Sequence, residues 1–152
     1  MSEDAADFRT MFIFSPPEGE PQGWGLTFAS FADALQAKEP DAPVHAWSGH
    51  YTGETLSFQF GTSTGETAEG MVGVEPNGVA IEDCTAAEAA DFAGWLRQAI
   101  VPAGSGLMAN IREGVEWELP LVELHGSGVS ELEASLVGHV ERVLRYEEEQ
   151  LG

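Results

Sequence analysis

Residues 44–83 read VHAWSGHYTGETLSFQFGTSTGETAEGMVGVEPNGVAIED, and the period of their side chains decides the fold. Apolar and polar residues alternate in four runs, 44–51, 55–60, 68–75 and 79–83, which predicts four consecutive strands. The run 55–60 is the clearest: Leu56, Phe58 and Phe60 point to one face, and Thr55, Ser57 and Gln59 to the other. Glu75-Pro76-Asn77-Gly78 is a hairpin turn signal, with proline fixing φ at its second position and glycine free to take a positive φ at its fourth. The tetrapeptide Thr-Gly-Glu-Thr occurs at 52–55 and again at 64–67, as expected of a repeated turn in a meander.

On the N-terminal side, residues 1–7 form an acidic stretch expected to be disordered. Residues 8–14 (FRTMFIF) are apolar on both faces and predict a central strand. Prolines and glycines make 15–25 a loop, and Thr27 caps a helix to about Lys38 with Phe28, Phe31, Ala32 and Leu35 on one face. On the C-terminal side, Thr85 and Glu88 form a capping box that opens a helix to about residue 101, buried along Ala89, Phe92, Ala93, Leu96 and Ile100. Strands at 107–112 and 115–119 follow, joined by a turn at Glu113-Gly114, so that Val115, Trp117 and Leu119 face inward and Glu116 and Glu118 outward. Residues 121–124 extend the sheet beyond Pro120. Ser130 and Glu133 make a second capping box for a helix to about residue 149, whose end, Glu147-Glu148-Glu149, opposes the helix dipole and is expected to fray. The order β-α-β-β-β-β-α-β-β-α is an α+β fold: an antiparallel sheet of about seven strands carrying three helices, in one domain over 8–152.

Charge bounds the function. The chain has 26 Asp and Glu against 6 Lys and Arg, a net charge of −20 over 152 residues, and its one lysine is Lys38. Such an excess repels nucleic acid and anionic membranes and attracts cationic surfaces. Disorder does not explain it, because eight Phe and four Trp supply a core. Adaptation to high salt is the competing explanation. The N-terminus has no signal-peptide pattern and no apolar run reaches a membrane span, so a cytoplasmic location is expected.

The reactive residue types are sparse. Cys84, the single cysteine, follows a strand and precedes a helix N-cap, where backbone N–H groups lower a thiol pKa. A nucleophile there needs a base, and His45 or His50 serves only if the sheet brings the second and fifth strands together. Filling a strand end as a small apolar group is the simpler role for Cys84. His45 and His50 point to opposite faces of one strand and no His-x-x-x-His pair exists, so no metal and no cofactor is expected. Gly126-Ser127-Gly128 lacks the third glycine of a dinucleotide loop, Glu131 standing in its place. Glu116 and Glu118, with Glu113 and Glu123 nearby, are either a solvated face or a docking face for Lys and Arg side chains. Trp24, between two glycines, and Tyr51, at a loop, are candidate aromatic anchors, although a residue placed like Trp24 more often folds back as a lid on the core.

The segment Phe92-Ala93-Gly94-Trp95-Leu96-Arg97 running to Val101-Pro102, then Glu118-Leu119-Pro120, then the capped terminal helix, covers about the last sixty residues. In this plan the chain resembles small acidic immunity and antitoxin-like proteins encoded beside bacterial toxins, and its alanine-rich, lysine-poor usage resembles actinobacterial proteins. The resemblance implies stoichiometric occlusion of a cationic toxin domain without turnover, by a monomer or small homo-oligomer. Such proteins share no universal binding residues, so none is carried over. The leading expectation is a non-enzymatic protein that neutralises a basic protein partner. The alternatives are a small enzyme or ligand-binding protein with a pocket near Cys84 and His45, and an assembly subunit, which so high a charge discourages.

Overall fold

A computed structural model of the chain describes residues 4–20, 23–40, 44–48, 54–62, 65–74, 77–126 and 128–152, with 44–48 and 54 described as backbone. The elements run β1 (Thr10–Ser15), α1 (Phe28–Lys38), β2 (Val44–Ser48), β3 (Glu54–Gly61), β4 (Thr67–Val74), β5 (Asn77–Cys84), α2 (Ala86–Ala99), β6 (Met108–Ile111), α3 (Arg112–Glu116), β7 (Val122–Glu123) and α4 (Val129–Leu151). Every strand pairing is antiparallel, in the spatial order β2-β3-β4-β5-β1-β6-β7. The fold is therefore α+β, as the alternation predicts, with six longer strands and a two-residue seventh. The meander β2 to β5 is sequential, and β1 returns between β5 and β6, the central place its apolar sequence requires.

One face of this sheet carries the core. Phe12 and Phe14 of β1, Val79 and Ile81 of β5, Val72 of β4 and Leu56, Phe58 and Phe60 of β3 are all buried on it. Phe92 of α2 docks there, its ring 4.9 Å from that of Phe60 and 5.7 Å from that of Phe14, while Phe31 of α1 sits 4.8 Å from Phe58. Burying each such ring stabilises the fold by about 1.5–3 kcal/mol. Gly70 makes room for this layer: a Cβ there would lie 2.4 Å from Cζ of Phe58 and 2.6 Å from the carbonyl oxygen of Ala80. α4 lies along α2 and buries Leu132, Leu136, Val140 and Val143.

Two of the predicted helix starts hold. Thr27 and Thr85 cap α1 and α2, each by a reciprocal box, Thr27 with Ser30 and Thr85 with Glu88. Residues 4–7 form a turn in which Ala5 is buried while Asp4, Ala6 and Asp7 are exposed. Three expectations are corrected. The segment 112–118 is no hairpin: α3 occupies 112–116, Val115 is 52% exposed, and the chain then turns through Glu118 at φ +55°. α4 starts at Val129 behind Gly128, so Ser130 is not its cap. Its acidic end stays helical to Leu151, where the Trp117 indole N–H donates to the Glu147 carboxylate at 2.8 Å. Val74 pairs with Asn77, so β5 begins two residues before the expected Val79, and residues 75–76 of the predicted turn lie outside the described residues.

Candidate functional site

Cys84 is built into the structure as an inert group. Its side chain is 1% exposed, and Sγ donates to the carbonyl of Glu82 at 3.3 Å. Burial first, then the charge of Glu88, pushes the thiol up to about 12, so it is protonated at neutral pH. Above it, Arg9 joins the start of β1 to the end of β5: its guanidinium donates to the Asp83 carboxylate at 3.1 Å and lies 3.2 Å from that of Glu88. These contacts raise the Arg9 pKa, the hydrogen bond to Asp83 most of all, against the cost of desolvation. A pairing with His45 required the second and fifth strands to meet, and the strand order keeps them apart. β2 stands three strands from β5, about 14 Å at the usual inter-strand spacing. His50 and Tyr51 lie outside the described residues.

The other sequence-derived candidates divide. Trp24, a candidate for either an exposed anchor or a lid on the core, is 4% exposed, and its indole N–H donates to the Gly106 carbonyl at 3.0 Å, so it takes the lid role. Glu113 is also withdrawn from the surface, accepting the Thr10 hydroxyl at 2.6 Å. Glu116, Glu118 and Glu123 are exposed, but on a short helix, a turn and β7 rather than along one strand face. Glu123 borders a groove of about 400 Å³ between residues 119–123 and α4, floored by His139 and Val143 and edged by Arg142 and Tyr146. His139 is buried there, and its Nε2 lies 2.8 Å from Oδ1 of Asn110. That oxygen already accepts from the Ile111 N–H while Nδ2 of Asn110 donates to the Leu119 carbonyl, so the imidazole donates. Burial and, secondarily, the charge of Arg142 lower its pKa to about 4.

What the sequence does not single out is the second face of the sheet. The registers place Ile13, Ala80, Met71 and Ser57 in one row across β1, β5, β4 and β3. Met71 is 44% exposed, and Ile13, Ala80 and Ser57 are half-buried. Beside that row Glu82, Glu69 and Gln59 are exposed on β5, β4 and β3. Together Ser57, Gln59, Glu69, Met71 and Glu82 line a cavity of about 260 Å³. Neither Glu69 nor Glu82 is in an ion pair with a cation among the described residues. Carboxylates on adjacent strands repel, so their placement is stabilised only when a cation arrives. An apolar centre with a charged border is the anatomy of a protein-docking surface.

Among the described residues, the one thiol, Cys84, is not activated as a nucleophile. Among the described residues no three His, Cys, Asp or Glu side chains are placed to hold a metal ion. Nor is any helix among them long and apolar enough to cross a membrane. Among protein-family models, curated proteins and solved structures, none matches this chain.

Proposed function

We propose that the chain is a non-enzymatic, cytoplasmic protein that binds and neutralises a basic protein partner, in the manner of an immunity protein or antitoxin. The observation that carries this reading is the second sheet face, apolar along Ile13, Ala80 and Met71 and bordered by the exposed Glu69 and Glu82, on a chain of net charge −20. The charge steers a cationic partner toward encounter, and the apolar row supplies contact that survives screening. Glu116, Glu118 and Glu123, exposed elsewhere, add to the long-range field. The buried, protonated thiol of Cys84 and the separation of β2 from β5 favour this reading over one built on a Cys84–His45 pair.

The test is association with a basic protein partner, sought first among the products of neighbouring genes, followed by stopped flow. The on-rate should fall by about tenfold or more between low and high salt, as for electrostatically steered pairs. An on-rate indifferent to salt would remove the electrostatic basis of the proposal.

A further inference from the structure

We infer that the cavity on the second sheet face receives one lysine or arginine side chain of the partner, its cation between Glu69 and Glu82 and its methylene stem along Met71. This rests on the basic-partner reading and adds to it the position of an anchor. The cavity, at about 260 Å³, lies below the roughly 300–1,000 Å³ of sites for whole small ligands and suits a single long side chain. Its lining matches that chemistry in both halves. Met71 is a polarizable, adaptable surface for a methylene stem, and long cationic side chains favour an apolar stem contact with a solvated head. At the far end two carboxylates meet the charge, and the Ser57 hydroxyl and the Gln59 amide oxygen remain to accept further N–H donors. A second copy of this chain is a poor occupant, because two such faces bring four carboxylates together.

Titration of isotope-labelled protein with acetylated, amidated hexalysine and hexa-arginine at low salt, read by backbone amide shifts, tests this. Shifts should concentrate on Gln59, Glu69, Gly70, Met71 and Glu82. The double variant Glu69→Gln/Glu82→Gln should bind about tenfold more weakly, two lost ion pairs' worth. The triple variant Glu147→Gln/Glu148→Gln/Glu149→Gln, which removes more charge, should lose less. Met71→Ala, which changes no charge, should weaken binding by about threefold through lost stem contact. Because Glu69 and Glu82 are exposed and repel, the double variant should melt no lower than the parent, which separates lost binding from lost folding. Peptide binding with shifts elsewhere, or equal losses in the double and triple variants, would overturn the anchor and leave the basic-partner reading standing. No binding of either peptide to the parent protein would overturn both.

Discussion

Single residues in this protein are tuned by what surrounds them more than by what they are. Cys84 shows it most plainly. A thiol one residue before a helix N-cap is a nucleophile if the helix dipole dominates and an inert filler if burial does. With 1% exposure and Glu88 and Asp83 as charged neighbours, burial and repulsion dominate, and Arg9 opposes them without reversing the outcome. The native protein should therefore resist iodoacetamide at neutral pH and be alkylated fully once unfolded in urea, as mass spectrometry would record. Rapid labelling of the folded chain would mean that the thiol is accessible and would return the enzyme reading to consideration. Glu118 makes the same point from the backbone. It takes φ +55° at the end of α3, where its N–H donates to the Val115 carbonyl and that of Leu119 to the Gly114 carbonyl. That left-handed helix stop favours glycine, so a glutamate there carries a cost of about 1 kcal/mol.

At the scale of elements, the stretch 108–119 is where tertiary structure overrides pattern. Asn110 is the reason: its side chain accepts from Ile111 and His139, donates to Leu119, and lies directly against Gly114 of α3. A Cβ at position 114 would sit 2.0 Å from Oδ1 of Asn110. Glycine to alanine in a helix ordinarily stabilises by about 1 kcal/mol. Here Gly114→Ala should instead destabilise by about 2 kcal/mol, the cost of displacing a held side chain, read from urea unfolding. A stabilised variant would show that Asn110 yields freely. The meander 44–83 was legible because alternation is a local property, and so were the cap at Thr27 and the capping box at Thr85. The alternation Val115-Glu116-Trp117-Glu118-Leu119 misled because a strand needs a partner, and β6 instead pairs with β7 through Met108 and Glu123. The proposed docking face stayed hidden for a related reason. Ile13, Ala80 and Met71 share a row only because β1 inserts beside β5, an order that no periodicity encodes.

For the whole molecule, stability against pH sets two effects in opposition. Net charge of −20 is self-repulsion, so protonating carboxylates as the solution is acidified should relieve strain on the compact state. His139 acts the other way. Its pKa is about 4 in the folded protein and 6.5 in the unfolded chain, so between those values the unfolded state binds a proton that the folded state refuses. The stabilisation from this neutral, buried imidazole is thus fully present above pH 6.5 and is lost progressively as the pH falls toward 4, a total of about 3 kcal/mol. Neutral Gln at this position keeps an N–H donor for Asn110 but takes up no proton. Urea midpoints of the parent and of His139→Gln, measured from about pH 7.5 down to about pH 4.5, should therefore diverge, the parent losing ground below 6.5 while the variant rises or holds. Parallel curves across that interval would mean that the imidazole is hydrated in the native protein, and the contact from α4 to Asn110 that fixes the 108–119 segment would have to be redrawn.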